Sequence, residues 1–498
     1  MHLNCWNLIR ESNRPDLWAK YLFAKEYLSQ SHVSESTKEA YLETIKYMNG
    51  FVEETPIKLD SDQYLKQFMK LIDSIKQNGF QNANGNAIIL TQSNKILDGA
   101  HRIAVCAALN ISPGSTIVES NSEQDYSFQR LGRLGLSENL IFNILRNIFL
   151  HNEDYRILLI FPVSPASSQQ EVILRNYNNE ILYRKSFESN LNLILVSKYI
   201  NYVIGGGDLE VPKWVGTQKE QLAAIHEHAV LSHGDSNLQI LVVRNNDICL
   251  AIKRELRSLI GFGNYSCHSS DSQFESILLV EQFLETKSRS LSKLVGLGSS
   301  MEVLETLRRI ICYGRAQKLQ NREIFITGST VLSLHGVREI SDIDIIADFP
   351  INQLELQRST KRLPVNLVSK EDVDTHKDIF EKFGASYYLG LRVITLDGLK
   401  QLKKDRNEVP KDVTDLRLIE DYESNLGIKG RDDFASFIET ALTGKLSWRI
   451  IRLRELVRLR VKRRLYLFKV LRFLYRFSRS AYSLLMGFRN KLTSLISR

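Results

Sequence analysis

Two aspartates separated by one residue, in the segment ITGSTVLSLHGVREISDIDIIAD, form the most informative chemical pattern in this sequence. The apolar residues around them predict a strand, in which side chains i and i+2 point to the same face, about 7 Å apart. Asp342 and Asp344 would therefore share one side of a sheet. This arrangement suits Mg²⁺, which takes few protein carboxylates and completes its octahedron with water and substrate phosphates. The alternative is that both aspartates are solvated residues at a strand end.

A Gly-Ser turn lies upstream of the aspartate pair, between the strand EIFITG and a predicted helix. Gly328 and Ser329 would open that helix, where free backbone N–H groups can bind a phosphate. With Arg338, the two motifs resemble the core of the DNA polymerase β-type nucleotidyltransferase superfamily, in which G-[GS] precedes a D-x-D metal pair. The resemblance covers roughly residues 320–425.

This resemblance implies Mg²⁺-dependent transfer of a nucleotidyl group from ATP or another nucleoside triphosphate to a hydroxyl or phosphate. It assigns Asp342 and Asp344 as catalytic metal ligands, and Gly328, Ser329 and Arg338 as nucleotide-binding residues.

Two downstream features belong to the same resemblance. The family usually places a third carboxylate on a later strand, whereas the next predicted strand, LPVNLVS, offers Asn366; Glu355 is the alternative. The segment GLRVITLDGLKQLKKDRNEVPKDVTDLRLIEDY resembles the closing part of small members of the superfamily, where a K-x-x-R…K-D-x-x-D pattern follows the sheet.

A second phosphate-binding pattern lies near the N-terminus, in ILDGAHRIAVCAALN. Apolar runs on both sides of the turn TQSN predict a hairpin, and the Ala-rich stretch predicts a following helix. Asp98 would be the N-cap of that helix, and Gly99 would let the backbone approach a ligand. An anion at this helix terminus would meet free N–H groups together with donors from His101 and Arg102. The alternative is a structural cap with Arg102 at the surface.

This segment resembles the ParB/sulfiredoxin superfamily, whose members carry a D/G-G-x-[HR]-R signature before an Ala-rich helix and bind nucleotide there. The resemblance covers about residues 60–125. Sulfiredoxin chemistry needs a cysteine where this chain has Ala100, and the paired arginines and helix-turn-helix modules of partition proteins are missing from the sequence. The free-serine-kinase branch is the most similar. It implies an upstream catalytic glutamate that takes the acceptor proton, here Glu53, with Glu43 as the alternative.

The middle of the chain contains the segment AIKRELRSLIGFGNYSCHSSD. Lys253 and Arg257 share a helix face and could bind one phosphate, with His268 and Asp271 as an acid/base pair. A solvated basic helix face is the alternative interpretation. The order of the three motifs along the chain is similar to that of large cytoplasmic proteins encoded with bacterial capsule and surface-glycan synthesis machinery.

The basic character of the chain is confined to its C-terminal segment. The formal net charge is +9, but residues 445–498 contain sixteen basic residues and one acidic residue, so the rest of the chain is net acidic. This distribution argues against a basic body that wraps DNA. The segment predicts a basic amphipathic helix lying on an anionic membrane surface. A nucleic-acid arm and a partner-binding helix are the alternatives.

Cysteine usage and hydropathy predict the compartment. The five cysteines are odd in number and form no C-x-x-C, which argues against a disulfide framework and a zinc knuckle. The N-terminus lacks the apolar core of a signal peptide, and no stretch reaches the roughly 18 apolar residues of a membrane span. We expect a cytoplasmic protein, peripheral to the inner face of the membrane.

We predict an α/β (α+β) multi-domain protein. Its predicted parts are a helical N-terminus with a ParB/sulfiredoxin-like domain (1–125), a helical linker (126–152), a central α/β domain (153–290), a helical connector (291–320), a nucleotidyltransferase-like mixed sheet (321–430) and a basic helical tail (431–498). In the central domain, ILLIFPV, EVILRNY, LILV and LQILVVR are predicted strands. The oligomeric state stays open.

These features predict nucleotide- and Mg²⁺-dependent phosphoryl or nucleotidyl transfer to an acceptor of bacterial surface-glycan synthesis, at the inner membrane face. The alternative is a nucleic-acid-binding, ParB-like regulator that carries an inactive nucleotidyltransferase fold. Binding to vesicles or to duplex DNA separates the two.

Overall fold

The protein has a mixed α/β fold, as predicted. The computed structural model describes residues 3–51, 53–54, 57–58, 60–81, 87–119, 125–163, 168–205, 218–233, 236–298, 301–316, 324–347, 363–367, 378–380, 382–406 and 410–424. The chain divides into two compact units, Met1–Tyr422 and Glu423–Arg498. The predicted basic tail and Glu355 lie outside the described residues. The predicted domain boundaries stay predictions.

Helices dominate the described part of the chain. They are α1 (Cys5–Glu11), α2 (Pro15–Gln30), α3 (Glu35–Asn49), α4 (Ser61–Asn78), α5 (Ala100–Ala108), α6 (Phe128–Leu134), α7 (Glu138–His151), α8 (Ser168–Asn176), α9 (Leu191–Tyr199), α10 (Gln218–Ser232), α11 (Asn246–Ile260), α12 (Gln273–Leu284), α13 (Thr286–Val295), α14 (Met301–Ala316), α15 (Ser329–Leu334) and α16 (Leu396–Arg406). A π-helical turn (Ile200–Ile204) extends α9, a 3₁₀ turn covers Gly263–Tyr265, and a further helix spans 411–424.

The strands are β1 (Glu53–Glu54), β2 (Ile57–Lys58), β3 (Ile88–Thr91), β4 (Ile96–Asp98), β5 (Ser115–Val118), β6 (Arg156–Ile160), β7 (Ile181–Phe187), β8 (Leu238–Val243), β9 (Cys267–Ser269), β10 (Ile324–Thr327), β11 (Ile343–Ala347), β12 (Val365–Leu367), β13 (Ala385–Tyr388) and β14 (Leu391–Ile394). Within the described residues they form a β1–β2 ladder and three sheets, with strand orders β4-β3-β5, β7-β8-β6-β9 and β12-β11-β10-β14-β13.

The N-terminal sheet confirms the predicted hairpin and helix. Strands β3 and β4 pair antiparallel, β5 joins β3 in parallel, and α5 follows β4 directly. The helix α4 begins with Asp60 as N-cap, whose carboxylate accepts a hydrogen bond from Gln63 N at 2.8 Å. Capping of this kind satisfies backbone N–H groups that the first helical turn leaves unpaired.

The central sheet is antiparallel throughout its described pairings. The predictions of strands at EVILRNY and LILV were wrong, because these residues lie in α8 and α9. Leu193 to Tyr199 of α9 are buried on every side. A helix without a polar face has no 3.6-residue alternation, so its short apolar run cannot be distinguished from a buried strand by periodicity.

The C-terminal sheet is mixed, with β10 antiparallel to β11 and parallel to β14. It is anchored to the central region by the buried side chain of Gln282 on α12, which accepts from Leu389 N at 2.9 Å and donates to Tyr387 O at 3.2 Å. One cluster of buried apolar residues runs through all three sheets. No helix among the described residues combines the length and apolar character needed to cross a membrane.

Candidate functional site

The Gly-Ser turn and the aspartate pair lie side by side in the C-terminal sheet. Thr327, the last residue of β10, pairs with Asp344 of β11 in antiparallel register. Gly328 follows with φ +62°, and a Cβ atom there would lie 2.1 Å from Asp344 Oδ2. Only glycine can combine this backbone conformation with so close a carboxylate. Ser329, the second residue of the turn, is buried at the start of α15.

The two aspartates share one side of the sheet, and Asn366 bridges them. The Asn366 Nδ2 atom donates to Asp342 Oδ2 at 2.8 Å and to Asp344 Oδ1 at 3.4 Å. Asp344 and Asn366 are register partners in the parallel pair β11–β12. Asn366 therefore lies on the strand where the resemblance expected a third carboxylate, and its amide nitrogen lies between the two carboxylates.

Burial and the neighbouring charged groups act on the Asp344 carboxylate in opposite directions. Burial raises the pKa of Asp344, and the neighbouring Asp342 raises it further, while the Asn366 hydrogen bond and the positive charges of Lys411 and Arg406 act in the opposite direction. A half-buried carboxylate beside a second carboxylate is stabilised by any positive charge placed between them. Lys411 and Arg406 are site cations that sequence reasoning did not assign, although the K-x-x-R…K-D-x-x-D pattern contains both.

The residues of that pattern form a buried network of ion pairs beside the C-terminal sheet. Lys403 Nζ contacts Asp412 Oδ1 at 3.2 Å and Asp415 Oδ2 at 2.5 Å, and all three side chains are almost fully buried. Arg406 donates to Asp412 at 2.6 and 3.0 Å. Arg338, predicted to bind phosphate, pairs with Asp415 through Nε at 2.9 Å. The network thus fixes the segment between α15 and β11 against the 411–424 helix.

Replacing Gly328 by alanine should disrupt the site and the fold together. The added Cβ would collide with the Asp344 carboxylate, and the backbone conformation itself costs about 1–3 kcal/mol for a residue other than glycine. Gly336→Ala is the matched control, because Gly336 has φ +66° but open space around its Cβ position. Denaturant unfolding should show a clearly larger loss of stability for Gly328→Ala than for Gly336→Ala. Equal losses would mean that the close approach to Asp344 carries no cost.

The N-terminal motif forms an ion pair between Asp98 and Arg102, and the N-cap of its helix differs from the predicted one. Asp98 is not the N-cap: Gly99 has that position, and α5 begins at Ala100. The Asp98 carboxylate accepts from Gly99 N at 2.5 Å and from Arg102 Nη2 at 2.9 Å. Arg102 Nε is buried without a hydrogen-bond partner among the described residues. The structure therefore brings Asp98, Gly99 and Arg102 together.

His101 points into an aromatic cluster. Its Nε2 atom and the Tyr41 hydroxyl are 2.9 Å apart, and its ring lies edge-on to Phe68 at 4.8 Å. The described contacts of the His101 ring are therefore with Tyr41 and Phe68. Of the two predicted glutamates, Glu53 lies in β1 opposite Lys58, and Glu43 pairs with Lys46 at 3.0 Å.

Two of the three basic residues of α11 contact the central sheet. Lys253 Nζ donates to Ser269 Oγ at 2.8 Å, and Arg257 Nη2 donates to Cys267 O at 3.0 Å, so both side chains fold onto β9. Arg254, which lies between them, is exposed. The helix therefore carries two half-buried cations against the central sheet.

His268 has a carboxylate partner that the sequence reasoning missed. Glu275 Oε1 lies 2.8 Å from His268 Nε2, and Glu275 Oε2 accepts from Asp271 N at 2.7 Å. His268, Asp271 and Glu275 each offer a ligand atom within 4.8 Å of the others. The S-x-x-E spacing of Ser272 and Glu275 is a capping-box signal, and it could have drawn attention to Glu275 at the start of α12.

Comparison of this chain with protein-family models, with curated proteins and with solved structures finds no match.

Proposed function

We propose that this chain transfers a nucleotidyl group from a nucleoside triphosphate, with Mg²⁺, at the edge of the C-terminal sheet formed by Gly328, Asp342, Asp344 and Asn366. One observation carries the proposal: two carboxylates converge on a single nitrogen atom of Asn366 while glycine makes room for one of them. That nitrogen lies where a cation would be stabilised by both carboxylates.

The donor set fits Mg²⁺. Two carboxylates supply the hard oxygen ligands that this ion prefers, and water and substrate phosphates complete its shell. Asp342 and Asp344 would hold the ion, which neutralises charge on the reacting phosphate when bound. The Asn366 side chain can present its Oδ1 instead of Nδ2 by rotating its amide. A carbonyl oxygen at that place would add a neutral ligand where the family has an anionic one.

The charges around the carboxylate pair suit a nucleotide. Lys411 is exposed, Arg406 is about half exposed, and both lie close enough to affect the pKa of Asp344. The buried Asp412 accepts hydrogen bonds from Arg406 and holds its guanidinium. Lysine and arginine side chains beside the carboxylate pair can bind phosphate oxygens of a triphosphate. The role proposed for Arg338 is to hold the closing helix through Asp415.

The acceptor that we propose belongs to bacterial surface-glycan synthesis, with the chain peripheral to the inner face of the membrane. Support comes from the order of the three sequence motifs and from the basic, apolar composition of residues 445–498. The N-terminal Asp98–Arg102 pair would bind a second nucleotide or a phosphate. Mg²⁺-dependent release of pyrophosphate from nucleoside triphosphates in the presence of a membrane extract tests this function.

A nucleic-acid-binding regulator with an inactive transferase fold is the second candidate. The amide of Asn366 on the strand of the expected third carboxylate favours it, because a neutral ligand holds a divalent cation less tightly. This candidate would be supported over the first if the chain bound duplex DNA and released no pyrophosphate from any nucleoside triphosphate.

Changing Asn366 to aspartate should strengthen metal binding. A third carboxylate beside Asp342 and Asp344 adds a charged ligand, and we expect Mn²⁺ affinity to rise at least about tenfold, since ligand charge count tunes cation affinity. Without metal, repulsion among three carboxylates should lower the melting temperature. Asn178→Asp, at an exposed turn, is the control and should change neither the Mn²⁺ affinity nor the melting temperature. An unchanged Mn²⁺ affinity in Asn366→Asp would show that no cation lies between these strands.

A further inference from the structure

In the central sheet region a lysine is buried with no anionic partner among the described residues. Lys198 on α9 has no exposed surface, and its Nζ atom has no hydrogen-bond partner among the described residues. Its ammonium lies over the Phe161 ring, 3.3 Å from the centroid. A buried charge is costly unless it is paired, so this residue is a position where the fold gives up stability.

Other polar groups surround this amine. Burial lowers the pKa of Lys198, and the charge of Arg257 on α11 lowers it further. Burial, with a smaller contribution from Lys198, lowers the pKa of His228 on α10 to about 4. Arg257 Nε and His228 Nδ1 are buried without hydrogen-bond partners among the described residues. Buried nitrogen atoms without a hydrogen-bond partner among the described residues therefore lie on three helices, α9, α10 and α11.

Aromatic rings line the same region. The Tyr202 ring lies 5.7 Å from Lys198 Nζ and 5.4 Å from the His228 ring, and Tyr265 packs on His228 at 4.4 Å. Tyr202 lies in the π-helical turn that extends α9, a local irregularity often found at functional sites. His228 and Tyr265 are partly exposed.

The nearby carboxylate is already bound elsewhere. Glu275 is fully buried, bonds His268 and the Asp271 backbone, and packs so tightly that a Cβ on Gly205 would lie 2.4 Å from its Cγ. The positive charges of Lys198 and Arg257 also oppose a divalent cation here, although His268, Asp271 and Glu275 could supply ligand atoms.

We propose that this region, called the Lys198 pocket and defined by Lys198, Tyr202, His228 and Arg257, binds the phosphoryl group of a phosphorylated compound. Donors arriving from three helices match a tetrahedral anion, whereas a planar carboxylate presents two oxygens in one plane. The bound anion would supply the partner that the Lys198 ammonium lacks. The proposal is independent of the Asp342–Asp344 site.

Titration of the full chain with inorganic phosphate, in buffer with EDTA, tests the proposal. Calorimetry should detect binding, and hydrogen–deuterium exchange should show protection in peptides covering α9 and α11. Lys198→Met should weaken binding at least tenfold while leaving the melting temperature equal or higher, since it removes an unpaired buried charge. His228→Phe keeps the ring contacts, removes the nitrogen and should also weaken binding. Lys66→Met, at an exposed position of α4, is the control.

Several outcomes would overturn the proposal. They are phosphate binding by Lys198→Met at the wild-type affinity, binding without protection of α9 and α11, no binding at millimolar phosphate, and acetate binding as tightly as phosphate. Tighter binding of glucose 1-phosphate than of inorganic phosphate would support a phosphorylated metabolite, and equal binding would support free phosphate as the ligand. Asp344→Asn should leave all of these results unchanged, which separates this proposal from the proposed transfer reaction.

Discussion

Asp344→Asn should abolish metal-dependent nucleotidyl transfer while the protein stays folded. Charge stabilisation by a bound metal ion is worth several kcal/mol, and each 1.4 kcal/mol changes a rate tenfold, so the loss should reach about three orders of magnitude. The substitution keeps the shape of the side chain, and the Oδ1 atom of the new asparagine can still accept a hydrogen bond from Asn366. The rate of pyrophosphate release with saturating Mg²⁺ is the measurement.

Stability gives an independent readout of the same variant. Burial and the neighbouring Asp342 raise the pKa of Asp344, so the charged form is disfavoured in the folded protein. Removing that charge should leave the melting temperature near the wild-type value or above it when no metal is present. Asp397→Asn is the matched control, because Asp397 is an exposed carboxylate on α16. Transfer activity that survives in Asp344→Asn would end the metal-site interpretation.

Lys403→Met should destabilise the protein more than any other charge removal described here. The lysine is buried and contacts both Asp412 and Asp415, so its loss leaves two buried carboxylates with less compensation. Breaking a buried ion pair by removing one partner typically costs about 3–5 kcal/mol. Urea unfolding of the purified chain, followed by circular dichroism, measures the loss.

The same helix offers a matched control for this variant. Lys400 is partly exposed and pairs with the exposed Asp397 at 3.7 Å, and an ion pair that water can reach contributes about 0–1 kcal/mol. Lys400→Met should therefore unfold at nearly the wild-type urea concentration. If both variants lost the same stability, the K-x-x-R…K-D-x-x-D pattern would not hold the 411–424 helix against the sheet.

Local patterns were sufficient to predict part of this architecture. The hairpin, the Ala-rich α5 and the strand–turn–helix–strand order around Gly328 follow from turn residues and periodicity within a few positions of the sequence. The common side of Asp342 and Asp344 follows from strand alternation. These features depend on neighbours along the chain, which is the information that a single sequence carries best.

Features that depend on distant residues were not predictable in this way. The contact of His101 with Tyr41, and the partnership of His268 with Glu275, are decided by which helices pack together. The Lys198 pocket joins residues from three helices, and in the sequence Lys198 lies in an apolar run that resembles a strand. Periodicity cannot identify a fully buried helix or the role of a residue in it, because such a helix has no polar face.

Transfer of the labelled α-phosphate tests the central claim most directly. The wild-type chain, incubated with Mg²⁺, a membrane extract and nucleoside triphosphate labelled at either the α or the γ phosphate, should attach only the α label to an acceptor and release pyrophosphate. Asp344→Asn should show no attachment of either label. Attachment of the γ label alone, or of neither label with any nucleotide in the wild type, would contradict nucleotidyl transfer at the Asp342–Asp344 site.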